Sequence, residues 1–163
     1  MSDFIIRSAQ PEEFDRIGSL TADIYVSEGY VGPDSDYVNV IRDAAARARG
    51  AELLVGILDD AVIGTVTYCV HASPWAQVTD PGESEFRMLA VSPQARGHGL
   101  GEALVRACVD RSRRDGCTTL RLSTEPVMHA AHRIYTRLGF VRTPDRDWSP
   151  VPGVDLLTYA LTL

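Results

Sequence analysis

The sequence contains no lysine: all 16 of its basic residues are arginines, set against 22 Asp and Glu for a net charge of -6. A P-loop, which requires Gly-Lys, and a lysine Schiff base are therefore excluded. An acidic chain also binds nucleic acid poorly without a local surplus of positive charge, so no nucleic-acid partner is expected. Cysteine is scarce. Cys69, Cys108 and Cys117 are odd in number and lack C-x-x-C spacing. They form neither a disulfide framework nor a metal cluster, and a reducing cytoplasm is the expected home. No run approaches ~18 uninterrupted apolar residues, so no membrane partner is expected. The opening Met1-Ser2-Asp3-Phe4 lacks the basic start of a signal peptide, and none is expected.

What is present is ordinary for a globular chain. The 163 residues are 45% hydrophobic and 23% charged, which predicts one domain over 1–163 with a core that needs no staples. Phe4 to Arg7 reads as a first strand. Pro11-Glu12-Glu13 starts a helix running to about Ser27, with Pro at its first position and acids in its first turn. Asp34 or Ser35 caps a second helix through Arg49, stopped at Gly50. Glu52 to Leu58 and Val62 to Val70 form a hairpin about Asp59-Asp60. Glu83 to Val91 is a further strand, after a loop from His71 to Gly82 and before Ser92-Pro93. Leu100, Ala103, Leu104, Ala107, Cys108 and Arg111 fall on one helical stripe, closed at Asp115-Gly116. Thr118 to Ser123 alternates as a strand. Pro126 opens a third strong helix, with Val127, Ala130, Ala131, Ile134 and Leu138 on one face and Gly139 at its end. Phe140 to Arg142 and Leu156 to Leu163 are final strands. Hairpins mixed with crossovers predict an α/β (α+β) domain: a mixed, mostly antiparallel sheet flanked by helices.

The segment from Leu89 to Gly101 carries the chemistry. A buried-looking strand ends at Pro93, and a glycine-rich turn leads straight into a helix. Glycine lets backbone N–H groups turn outward and a ligand approach closely. A helix N-terminus adds unpaired N–H groups and a positive dipole end that favour phosphate. Arg96 adds a fork of donors. The glycines at 97, 99 and 101 do not fit the G-x-G-x-x-G dinucleotide spacing.

Gln94-Ala95-Arg96-Gly97-His98-Gly99 resembles the Q/R-x-x-G-x-G/A acetyl-CoA signature of the GNAT-type N-acetyltransferase superfamily. Ala131-His132-Arg133-Ile134-Tyr135 followed by Leu138-Gly139-Phe140 is similar to that family's A-x-x-L-Y…L-G-F segment. Ile6-Arg7-Ser8-Ala9-Gln10-Pro11-Glu12-Glu13 is similar to its first strand and helix, so the resemblance covers nearly the whole chain. It implies one GNAT-like domain with about seven strands and about four helices, splayed to form an acetyl-CoA cleft.

The resemblance also implies a division of labour. The amides of Arg96, Gly97, His98, Gly99, Leu100 and Gly101 hold the CoA pyrophosphate. Leu89, Ala90 and Val91 pair with the pantetheine arm as a pseudo-strand does. A backbone N–H near Leu89 stabilises the oxyanion of a tetrahedral intermediate. A family β-bulge here would open the cleft, though a bulge is not legible in the letters. Tyr135 matches the tyrosine that gives a proton to the departing thiolate. For the general base, Glu85, Glu83 and the loop residue His71 are the candidates, with Glu85 first; Glu85 could instead pair with Arg87 or Arg121. The family often has Asn where this chain has Met128, so its pantetheine contact passes to Ser123, Thr124 or water, or is absent.

The remaining polar features have alternative readings. His129 and His132 have chelate spacing but no third ligand, so no metal is expected. Arg111, Arg113 and Arg114 suit a helix C-terminus, or the CoA 3′-phosphate. Trp75, Tyr30, Tyr37 and Trp148 fall in segments expected to be loops and to shape the acceptor pocket. The expected acceptor is a small-molecule amine or a protein amine, and a homodimer is compatible with the resemblance. The alternatives are an acyl-CoA-binding regulatory module and a toxin-like acetyltransferase acting on aminoacyl-tRNA. Lacking lysine, the chain has no side-chain amine of its own to acetylate. Residues 94–142 carry nine arginines and four acids, a net of +5, which leaves -11 elsewhere. That asymmetry predicts a basic cofactor half and an acidic remainder that steers a cationic acceptor.

Overall fold

The computed structural model describes residues 3–163. Its strands are β1 (Ile5–Ser8), β2 (Glu52–Leu58), β3 (Ala61–Val70), β4 (Glu83–Val91), β5 (Thr119–Thr124), β6 (Val141–Arg142), β7 (Trp148–Val151) and β8 (Val154–Thr162). Its helices are α1 (Phe14–Ser27), α2 (Tyr37–Arg42), α3 (Ala44–Ala48), α4 (Leu100–Arg114) and α5 (His129–Arg137). The sheet order is β1-β2-β3-β4-β5-β8-β6, with β7 paired to β8 off that path. Among the described residues only β4 and β5 run parallel; the other pairs are antiparallel. The β2–β3 hairpin turns on Asp59 and Asp60 at φ 50° and 63°, the two positive values of a type I′ turn.

The sheet is buried on both faces. On one, Leu54, Val66, Phe86, Leu120 and Leu122 meet Leu100, Leu104, Val105 and Cys108 of α4 and Tyr135 of α5. On the other, Leu53, Val55, Ile57 and Val62 meet Ile17, Leu20 and Ile24 of α1. Leu100 locks α4 onto the sheet: a Cβ at Gly56 would lie 2.5 Å from its Cδ1, and one at Gly64 would lie 2.8 Å from its Cδ2.

Three expectations about elements are corrected. The single helix from 34 to 49 is two short ones, broken at Asp43, whose side chain accepts from the Ala46 N–H and starts α3 anew. The break follows from packing: Gly18 of α1 sits so close to the end of α2 that a Cβ there would be 2.0 Å from the Arg42 carbonyl oxygen. The last helix begins at His129 rather than Pro126, because 125–128 form a turn closed by the Met128 N–H on the Glu125 carbonyl. Val127 and Ala130 therefore leave the predicted core face and stand exposed. Trp148 starts strand β7, where a loop was expected, and Tyr37 starts α2, inside the span of the predicted second helix.

A bulge in β4 positions the site. Thr65 pairs with Ala90 and Thr67 with Arg87, so β4 carries an extra residue between those pairs. Met88 takes φ 57° within it, a value a bulky side chain adopts only under tertiary compulsion. β4 pairs with β5 only from Glu83 to Glu85, against Thr119 to Arg121. Past that point the strands part.

Candidate active site

The parting of β4 and β5 opens a cavity of about 1130 Å³. Leu89, Ala90 and Val91 form one wall; Ser123, Thr124 and Glu125 of β5 and its following turn line the other side. Beyond Glu85 the β5-facing edge of β4 has no strand partner, so its backbone groups are free to pair with an extended ligand arm.

The turn at the cavity mouth is built as an anion cradle. Gly97 and Gly99 take φ 82° and 81°, and a Cβ at either would meet nothing within 4 Å. Glycine is required there by backbone conformation and leaves the approach open. Gly99 is the N-cap of α4 and supplies no side-chain cap, leaving first-turn N–H groups for a ligand. Gly101 lets α5 approach: a Cβ there would be 3.1 Å from Ile134 Cδ1. The empty space beside these glycines and the uncapped helix start fit the pyrophosphate of acetyl-CoA. Arg96, Gly97, Gly99, Leu100 and Gly101 all line the cavity, whereas His98 stands exposed in the same turn and does not. The Leu100 side chain is 1% exposed and belongs to the core, so only its backbone can serve a ligand. Arg96 also gives Nη1 to Glu28 Oε1 at 2.6 Å across the mouth.

Tyr135 lines the cavity and is 4% exposed. Its ring meets Phe86, Phe140, Tyr159 and His132. Burial pushes its phenol well above the usual tyrosine range, so it holds its proton. Thr124 lines the same wall with its hydroxyl against Met128 Sδ at 3.5 Å and His132 Nε2 at 3.2 Å. Ser123 accepts from Trp148 Nε1 at 3.0 Å.

The two glutamates of β4 do not line the cavity. Glu83 is clamped by Arg121 through contacts of 2.6 and 3.0 Å. Arg121 and the Asp80 N–H outweigh its partial burial and hold its carboxyl below the usual range. Glu85 is fully buried: Oε1 accepts from the Gln77 and Val78 N–H groups at 2.7 and 3.0 Å, and Oε2 has no partner. Burial raises its pKa despite those two amides. Gln77 lines the cavity, so Glu85 stands one residue behind the wall. Neither glutamate pairs with Arg87, which donates to the Tyr37 hydroxyl at 2.8 Å and the Trp75 carbonyl at 3.2 Å. His71 is exposed, with Nδ1 on Thr79 Oγ1.

Several other readings meet a different arrangement. Arg111 and Arg114 pair with Glu52 at the far end of α4 from the glycine turn, which removes them from the phosphate site. No group of metal-ligating side chains occurs among the described residues; His132 Nε2 approaches the Glu125 carbonyl instead. Tyr30, Tyr37 and Trp148 line the cavity, and Trp75 does not. Tyr25, Glu28 and Glu125 also line it and were not singled out in the sequence; Arg87, named there only as a possible partner of Glu85, lines it too. Glu125 had a usable signal, because it directly follows the strand opposite the glycine-turn strand.

A mixed sheet splayed at one parallel pair, with a glycine turn and helix start at the mouth of the opening, defines an α/β domain built for a phosphate-bearing ligand. The Acetyltransferase (GNAT) family model matches residues 16–140, and the chain belongs to that family. An uncharacterised N-acetyltransferase of Schizosaccharomyces pombe is 33% identical over 91 residues, 56% of this chain and 54% of that protein. The chain thus spans about half the length of that relative. A GNAT-family acetyltransferase structure from Staphylococcus aureus Mu50 superposes with TM-score 0.78 at 16% identity, over 98% of this chain and 99% of that one. The structure of yncA from Salmonella typhimurium with its cofactor acetyl-CoA gives TM-score 0.72 at 23% identity, over 99% and 95%.

Proposed function

We propose that this protein moves an acetyl group from acetyl-CoA to a primary amine by direct attack. The observation that carries this reading is convergence: the glycine turn, the unpaired edge of β4 and the protonated Tyr135 all line one cavity. In the transfer a C–N bond forms and the C–S bond of the thioester breaks; the amine loses a proton and the sulfur gains one. Tyr135 is the proton donor to sulfur: it lines the cavity, and a phenol carries its proton at neutral pH. An N–H of β4 near Leu89 stabilises negative charge developing on the carbonyl oxygen.

Glu85 is the base, acting through water. Its free Oε2 is a buried acceptor that asks for a hydrogen-bond partner, and its raised pKa makes it a stronger base than an ordinary carboxylate. Glu83 is structural, because Arg121 occupies it. Met128 leaves the pantetheine contact to Thr124 or Ser123. A binding module without catalysis is disfavoured by a tyrosine placed in the cavity. The aminoacyl-tRNA reading loses its main support, since Arg111 and Arg114 are engaged with Glu52. No helix of the described residues is long and apolar enough to cross a membrane.

Thiol release from acetyl-CoA, followed with a panel of amines, tests the reading. Turnover with one class of amine is the expected result. Tight CoA binding without turnover for any acceptor would favour the binding module.

A further inference from the structure

The acceptor side of the cavity holds charges of both signs that the fold leaves unpaired. Arg87 lines the cavity on β4 and is half-buried. Its guanidinium stacks at 5.9 Å over the Trp75 ring, and its two terminal nitrogens each donate to a neutral oxygen, of Tyr37 and Trp75. Of the ion pairs among the described residues, none involves Arg87 or Arg47. Arg47 is 1% exposed; its Nη1 donates to the Val40 and Ile41 carbonyls, while Nε and Nη2 have no partner. Burying a guanidinium without an anion is costly, and burial, with Arg87 nearby, lowers the Arg47 pKa. Glu85, the carboxylate whose charge Arg87 feels, gives one oxygen to two loop amides and makes no ion pair with Arg87. Arg87 thus meets the cavity without an ion-pair partner in a chain whose net charge is -6.

The opposite side carries the reverse. Glu125 lines the cavity past the end of β5 and makes no ion pair among the described residues. Its charge is felt by Tyr25 and Tyr30, which stand edge to face at 5.6 Å and also line the cavity. A cavity with a cation without its anion on one strand and an anion without its cation across the opening is matched by a ligand bearing both charges.

We propose that the acceptor is an amine that also carries a carboxylate, as a free amino acid does, with Arg87 taking the carboxylate and Glu125 facing the amine. This rests on the acetyl-transfer reading above and narrows it to small zwitterions over peptide or protein amines. The free donors of Arg87 give the carboxylate charge-assisted hydrogen bonds. Trp75 and Tyr37 hold the guanidinium in place beforehand, so little ordering remains when the ligand arrives.

The test uses the full chain, acetyl-CoA and matched pairs of an amino acid and its decarboxylated amine: leucine and 3-methylbutylamine, phenylalanine and 2-phenylethylamine, tryptophan and tryptamine, histidine and histamine. Peptides with free N-termini complete the panel. At least one amino acid should surpass its amine by about tenfold or more in kcat/KM, the effect of one charge-assisted contact. Arg87→Gln should shrink that ratio below about threefold, chiefly through KM for the acceptor, and Arg87→Lys should restore part of it. Amines equal to or better than their amino acids, turnover confined to peptides, or a ratio unmoved by Arg87→Gln would each overturn the inference and leave acetyl transfer standing. No thiol release with any amine would defeat acetyl transfer and this inference together.

Discussion

Tyr135 shows at the residue scale how burial serves both packing and chemistry. Its ring belongs to the core around Phe86, Phe140 and Tyr159, and its phenol, raised by burial, holds the proton that a leaving thiolate needs. Tyr135→Phe keeps the ring and removes the proton. It should lower kcat by about 100-fold, within the range for a lost general acid, with the acetyl-CoA dissociation constant changed less than about twofold, as calorimetry will read. The two β4 glutamates should separate in the same way. Glu85→Gln should cut kcat/KM and abolish the acid-side fall of the pH profile. In the wild type that fall lies above the usual carboxylate range, because burial raises the Glu85 pKa and a base works only when deprotonated. Glu83→Gln breaks a bidentate pair with Arg121 that is largely shielded from water. It should lower Tm while leaving the pH profile in place.

At the element scale, the site depends on backbone that only particular residues allow. Gly99→Ala forces a Cβ into left-handed backbone at the start of α4. The cost is about 1–2 kcal/mol, and KM for acetyl-CoA should rise while the acceptor KM stays nearly constant. The strands after α5 are tied together by one carboxylate. Asp147 takes a bidentate contact from Arg142 of β6 and accepts from the Thr158 N–H of β8. Those contacts, the Arg142 pair foremost, lower its pKa from 3.8 to about 2. A depressed folded pKa contributes stability that is complete above the unfolded value and is lost as pH falls through the folded one. Between pH 3.8 and 2 the wild type should therefore lose Tm more steeply than Asp147→Asn, which starts lower and responds less. Calorimetry across that range decides it.

The charge asymmetry of the whole molecule has a use that the sequence did not suggest. The basic segment 94–142 is stitched to the acidic remainder: Arg96 to Glu28, Arg111 and Arg114 to Glu52, Arg121 to Glu83 and Arg142 to Asp147. Much of the +5 and -11 cancels inside the fold rather than projecting as two separate fields. Steering of a cationic acceptor should then be weak. We expect kcat/KM for the acceptor to change by less than about twofold between 0.05 and 0.5 M salt, concentrations that span strong and weak screening. A steep decline would restore the steering idea and count against a zwitterionic acceptor.

Much of this was legible in the letters because the physics is local. Glycines at 97 and 99 mark left-handed backbone before a helix, Asp59-Asp60 marks the hairpin, and the apolar spacing from Leu100 to Cys108 marks the buried face of α4. Together with the segment around Tyr135, they determined the family and the cofactor end of the cleft. Tertiary structure decided the rest. Contact between Gly18 and the Arg42 carbonyl broke the second helix, and the bulge at Met88 parted β4 from β5 at a residue with no turn propensity. Two glutamates spaced alike on one strand received opposite environments: Arg121 reached one, and a loop buried the other. Whether a charge is paired or left open to a ligand depends on which distant residue folds against it. For that reason Arg87 and Glu125 emerged only when the strands, and the gap between them, were in place.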